Sequence, residues 1–235
     1  RVPACAQHIV PVVAPTYCRI DERGWGMFSY PGPGRHAHTA KGFAVVDLET
    51  TGFDAAAKDR IVEVGIVRID ASGSELGAFS TLIDPGRSVG AEAVHHIDDT
   101  MLRDAPTFGE IAPAIRAWLE GVVVVAHDAG FEDAFLTAEF HRARWWPPAL
   151  PALDTLPLAQ SRVPTPNHRL ATVCDWAGIT IHNPHSALGD ARATAQLLPH
   201  LLAVRRRPLR WSTPLRPLGG SLSGRYRPRE SLASL

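Results

Sequence analysis

Cysteine is scarce in this chain. Cys5, Cys18 and Cys174 are odd in number and none stands in a CxxC pair, which excludes a small disulfide-stapled secreted scaffold and fits a reducing cytoplasm. Cys5, His8 and Cys18 fall one ligand short of a zinc set. Long apolar runs are also lacking: no stretch approaches the roughly 18 to 20 residues that cross a bilayer, so no membrane association is expected. Pro3, Pro11 and Pro15 break up the N-terminal segment where a secretory signal would need a continuous apolar core. Net charge is absent too, since 24 Lys and Arg balance 24 Asp and Glu.

That balance hides an uneven distribution. Residues 41–204 hold 12 Lys and Arg against 21 Asp and Glu, whereas residues 205–235 hold eight Arg and one Glu. An acidic centre followed by a basic segment is not the pattern of a protein that simply coats nucleic acid. A chain of 235 residues suits one well-buried domain with extensions. Residues 1–40, with Pro and Gly crowding YPGPGRH, read as an irregular arm or linker. Residues 205–235 carry Pro and Gly without helical periodicity and read as a disordered basic tail.

Between them the pattern is regular. FAVVDLE, RIVEVGIVRID and GAFSTLID read as three strands joined by short turns, an antiparallel meander. APTFGEIAPAIRAWLE reads as a helix whose Thr107 and Glu110 have capping-box spacing and whose Pro113 should kink it. VVVVA, residues 122–126, is the β-branched run of a strand buried on both faces. A helix over FEDAFLTAEFHRA, a short strand PALDT, a helix ended by Gly178 and a last helix from about Leu188 to Ala203 complete the domain. The order β, β, β, α, β, α, β, α, α gives an α/β fold, a mixed sheet flanked by helices.

The chemistry gathers at strand ends. Asp47 and Glu49 close the first strand; alternation points them the same way, about 7 Å apart. Asp128, Glu132 and Asp133 follow the fourth strand, and His185 and Asp190 lie at the start of the last helix. Sites in α/β sheets form outside the carboxyl ends of strands, where these groups could converge. Carboxylates that converge without matching Lys or Arg suit hard divalent cations such as Mg²⁺ or Mn²⁺. Two such ions would stabilise both oxygens of a phosphoryl displacement, and a neighbouring His could deprotonate the attacking water. Asp128 also suits an N-cap, and His127 beside the buried strand reads as structural.

DLETTG, HDAGFED and His185 to Asp190 stand in order along the chain with IVEVGIVRID, VHHIDDTMLRDAPTF and ALDTLPLAQ between them. In this the sequence resembles the DEDDh group of 3′→5′ exonucleases, the family of the DNA polymerase III proofreading subunit and RNase T, over nearly all of residues 42 to 204. The resemblance implies an RNase H-like five-stranded sheet of order 3-2-1-4-5 with strand two antiparallel, and makes 41–204 an exonuclease domain. It implies that Asp47, Glu49 and Asp190 bind two divalent cations and that His185 is the general base; Glu132, at the place of the family's remaining acid, is the expected fourth ligand, with Asp133 the alternative. It also implies that Thr50, Thr51 and Gly52, with His95 and Phe131, hold the terminal nucleotide. The expected partners are single-stranded DNA or RNA 3′ ends, DNA favoured, and a polymerase or repair assembly; the expected products are nucleoside 5′-monophosphates.

The second motif departs from the family pattern, with Asp128 in place of Asn and Glu132 in place of Asp. Glutamate keeps the charge and adds one methylene of reach. Asp133 is one helical step away and would point about 100° aside. A catalytically weak or inactive nucleic-acid-binding or scaffolding domain of the same fold is therefore the competing expectation. The arginines of residues 205–235 would supply salt-sensitive attraction to phosphates beside an acidic face.

Overall fold

The computed structural model describes residues 26–203 and 208–215. Six strands form one sheet among the described residues: β1 (Phe28–Ser29), β2 (Phe43–Thr50), β3 (Ile61–Ile69), β4 (Glu75–Leu82), β5 (Val123–Ala126) and β6 (Leu150–Asp154). Their order is β1-β6-β5-β2-β3-β4. β3 runs antiparallel to β2 and β4, and β2, β5 and β6 are parallel. Without β1 this is the expected five-stranded order with its second strand reversed.

The α-helices are α1 (Glu92–His95), α2 (Asp99–Leu102), α3 (Phe108–Leu119), α4 (Ala129–Arg142), α5 (Thr155–Gln160), α6 (Leu170–Ala177) and α7 (Ala187–Ala203). The Thr107–Glu110 capping box forms, with Glu110 Oε2 accepting from the Thr107 N–H at 2.8 Å. α3 continues through Pro113 for 12 residues. Gly178 ends α6 in the left-handed conformation, at φ 71°.

The period-two alternation of β2 explains the layering. Ala44, Val46 and Leu48 enter one core with side chains of α3 and α4; Phe43 and Val45 enter a second core with α6 and α7. Asp47 and Glu49 continue the Phe43/Val45 face, which places them under α7, the helix that carries Asp190. Alternation and helix packing thus bring together acids 143 positions apart in the sequence.

The folded unit extends past both expected boundaries. Met27 and Phe28, from the segment read as an arm, are buried in the first core, and β1 pairs with β6. Asp133 Oδ1 accepts from the N–H groups of Met27 (2.7 Å) and Phe28 (3.0 Å). Within the segment read as a disordered tail, Trp211 is fully buried, its Nε1–H donating to the Ala152 carbonyl at 3.0 Å. Trp211 and His36 exchange backbone hydrogen bonds of 2.9 and 3.1 Å. A two-residue edge strand and one buried indole need no periodic pattern, so Pro and Gly in both segments masked them. Residues 1–25 of the expected arm, and 205–207 and 216–235 of the expected tail, lie outside the described residues.

Candidate active site

The carboxyl ends of β2 and β5 and the first turns of α4 and α7 meet at one rim. Asp47, Glu49 and Asp190 are half-buried, and each offers a carboxylate oxygen within 4.8 Å of the others. Asp47 sits among negative charge: burial first, then Glu132, Asp190, Glu49 and Glu63, push its carboxyl well above the usual carboxylate range. Glu132 is buried at 3% exposure and is likewise raised, by burial first and then by Asp128, Asp154 and Asp133. Its Oε2 makes no hydrogen bond. Burial also raises Asp190, against the stabilising N–H of His185 that reaches its Oδ2 at 3.1 Å.

These features fit a divalent cation. The donors are all hard oxygen, the cluster has no Lys or Arg among the causes that set its charge, and a buried carboxylate oxygen without a donor is costly unless protonated or bound to a cation. Glu132 is nevertheless not one of the three residues whose oxygens lie within 4.8 Å of one another. It approaches Asp47 closely enough to be the largest charge acting on it.

His185 is exposed, in left-handed backbone at φ 59°, at the mouth of the site. Asp133 turns away, as its helical position requires, and binds β1; burial raises it to about 6. Asp128 occupies the N-cap position of α4 in left-handed backbone (φ 79°, ψ 52°), but its side chain does not cap. His127 bonds Thr155 Oγ1 at 2.9 Å and the His168 carbonyl at 2.7 Å, a structural role.

Of the residues expected to hold a nucleotide, Thr50 and Thr51 are buried beside the acids and Gly52 is half-buried. The Thr51 N–H already donates to the Arg60 carbonyl at 2.9 Å, and the Thr50 hydroxyl to the Gly52 carbonyl at 2.6 Å. His95 is buried, its Nδ1 accepting from the Ile97 N–H at 3.1 Å. Phe131 is half-buried against Phe135, ring centroids 4.7 Å apart.

Residues 44–198 match the family model for RNase T-type exonucleases. The chain belongs to the exonuclease family. It is 36% identical over 173 residues to the DNA polymerase III subunit epsilon of Treponema pallidum, covering 72% of this chain and 79% of that protein. It is 34% identical over 164 residues to DNA polymerase III PolC-type of Bacillus subtilis, covering 68% of this chain but only 11% of that protein. Its fold is shared with exonuclease X in complex with 5′ overhanging duplex DNA (TM-score 0.56, 23% identity, 68% of this chain and 91% of that one). It is shared too with E. coli exonuclease I in complex with a dT13 oligonucleotide (TM-score 0.61, 19% identity, 68% and 41%). The 3′→5′ exonuclease class implied by the motifs stands, with the RNase H-like sheet.

Three features of this exonuclease were not singled out from sequence. Glu63 of β3 is buried, lies opposite Glu49 in the ladder, and accepts from the Ala187 N–H at 3.1 Å, fixing the start of α7. Asp154 accepts from the Asp128 N–H (3.1 Å) and the Leu156 N–H (2.9 Å), joining the β5–α4 junction to α5. Phe53, directly after Gly52, is 86% exposed. The signal for Glu63 was present, because an acid inside IVEVGIV conflicts with a strand buried on both faces. Among the described residues, no helix is long and apolar enough to cross a membrane.

Proposed function

We propose that this exonuclease removes nucleoside 5′-monophosphates from the 3′ ends of single-stranded nucleic acid, DNA in preference to RNA, using two divalent cations, Mg²⁺ or Mn²⁺. The observation that carries it is the convergence of Asp47, Glu49 and Asp190 beside the donorless Oε2 of buried Glu132. Asp47, Glu49, Glu132 and Asp190 would hold the cations, which supply Lewis-acid stabilisation of the attacking and leaving oxygens when bound. His185 takes the proton from the attacking water; its exposed position lets it pass that proton to solvent. Asp190, bonded to the His185 N–H, fixes the backbone from which that imidazole projects. Thr50, Thr51, Gly52, His95 and Phe131 would hold the terminal nucleotide. Exposed Phe53 offers an aromatic face for a base, a sequence-tolerant contact suited to single strands. The DNA-bound relatives of like fold and the epsilon and PolC sequences support DNA as substrate and a polymerase or repair assembly as partner. Free, buried Cys174 accords with the reducing cytoplasm.

A second reading, a catalytically weak or inactive nucleic-acid-binding scaffold, is favoured by one observation, the place of Glu132 outside the tight trio. Incubation of 5′-labelled single-stranded DNA and RNA with the protein in Mg²⁺, Mn²⁺ or EDTA separates the two. A ladder that needs metal and vanishes in Asp47→Ala supports the enzyme; intact strands with both metals support the scaffold.

A further inference from the structure

A cavity of about 430 Å³ opens between the β2–β3 loop, the loop after β4 and the end of α4, lined by Lys58, Arg60, Pro85, Gly86, Arg87 and Arg142. Four of the 12 basic residues of the acidic 41–204 region meet here. Buried Glu139 accepts from Arg60 Nε at 2.5 Å and Nη2 at 2.9 Å, and from Arg142 Nη1 at 3.2 Å. Asp59 lies 3.6 Å from Arg87 Nη1, and Asp84 acts on Arg60 through its charge alone. Two guanidinium groups are thus locked in place by one buried carboxylate, while Lys58 and Arg87 remain exposed at the rim. Four cations against these three acids leave an excess positive charge on rigid supports, in a recess where a Cβ on Gly86 would touch nothing. Such a recess suits a phosphate by charge: Glu139 and the Pro85 and Ala55 carbonyls hold the Arg60 and Arg142 cations in place at its wall, and exposed Lys58 and Arg87 at the rim lower the cost of bringing an anion in.

We propose that this cavity holds a backbone phosphate of the same strand whose 3′ end enters the acidic site. The assignment rests on the exonuclease reading above and adds to it an anchor away from the scissile bond. Continuity favours a strand over free phosphate. The Thr51 N–H donates to the Arg60 carbonyl and the Arg60 N–H to Thr51 Oγ1 at 3.1 Å, so the cavity wall and the TTG segment form one hydrogen-bonded unit. Charge favours it as well, since an acidic rim repels nucleic acid and attraction must come from cations beside it.

The test uses the full chain and its Lys58→Ala/Arg87→Ala variant, which leaves the Glu139 ion pairs intact. Binding of a fluorescent 20-nucleotide single strand is followed by anisotropy in EDTA over a salt series, so that it does not depend on turnover. Thermal melting with inorganic phosphate is the second arm. The variant is expected to bind the strand several-fold more weakly at low salt, with the slope of log Kd against log salt reduced by roughly 0.7 for each phosphate it no longer neutralises. Unchanged strand affinity and slope overturn the proposal. Unchanged strand binding with loss of a thermal shift by inorganic phosphate also overturns it, and assigns the cavity to free phosphate. Absence of a ladder from the wild-type protein would count against the exonuclease reading alone, because the strand-binding comparison stands without cleavage.

Discussion

Glu63 Oε2, buried in β3, accepts a 3.1 Å hydrogen bond from the N–H of Ala187, the first residue of α7. That bond sets where α7 begins, and Asp190 lies three residues further on. Glu63→Ala leaves a buried N–H without this acceptor, a loss of about 1 to 3 kcal/mol. A shift of α7 of about 1 Å would lower kcat on the order of a hundredfold. Glu63→Gln keeps an acceptor and is expected to retain most stability. Chemical denaturation and single-strand turnover of the two variants check both effects; equal losses would show that charge, not the hydrogen bond, matters.

Gly65, paired with Asp47 across the β2–β3 ladder, supports the same geometry by having no side chain. A Cβ there would lie 2.3 Å from the Ala187 carbonyl carbon, backbone that cannot swing aside. Gly65→Ala is expected to cost about 1 to 3 kcal/mol of stability and to push α7 away from the sheet. Loss of turnover should exceed what unfolding explains, measured at a temperature where the variant is fully folded.

The three motifs at the strand and helix ends, DLETTG, HDAGFED and His185 to Asp190, were legible because each is a local string whose spacing carries the chemistry. Asp47 and Glu49 share a face by alternation alone, and the Glu49 end of β2 could be placed from its apolar run. Glu63 stands out as an acid inside an apolar strand, but its role was not legible, because that role appears only once β3 pairs with β2 and α7 crosses above. The same holds for β1 and Trp211: both owe their position to long-range hydrogen bonds, Asp133 with Met27 and Ala152 with Trp211, that leave no periodic trace. Asp133 itself was readable only negatively, as the residue whose helical phase turns it from the rim.

Glu132 tests the family departure. Glu132→Ala removes a buried acid that repels Asp47, so metal-free stability is expected to rise or stay level while turnover falls at least tenfold. Glu132→Asp restores the family residue and is expected to retain or raise turnover with Mg²⁺. Turnover of Glu132→Ala equal to wild type would remove Glu132 from the ligand set.

The pH dependence of stability follows from acids whose carboxyls are raised on folding. For each, the folded state holds its proton more tightly than the unfolded state, so stability is present at low pH and is lost as pH rises through the folded value. Asp133, raised from 3.8 to about 6, corresponds to a loss of at most roughly 3 kcal/mol between pH 4 and 6. Asp133→Asn keeps an oxygen for the Met27 and Phe28 N–H groups and is expected to flatten that part of the curve. Asp47, Glu132 and Asp190 share the sign, so melting in EDTA should fall with rising pH, and Mg²⁺ should raise the melting temperature more at pH 8 than at pH 5. Equal shifts at the two pH values would contradict cation binding by ionised carboxylates.

The most direct measurement of the central claim is Mn²⁺ binding followed by electron paramagnetic resonance at pH 7.5, in wild type and in Asp47→Asn. Crowded acids built around divalent cations predict that the wild-type protein depletes the free Mn²⁺ signal and that the Asn variant does so at least tenfold more weakly. Indistinguishable titrations of the two proteins, or no depletion by wild type at millimolar Mn²⁺, would contradict it.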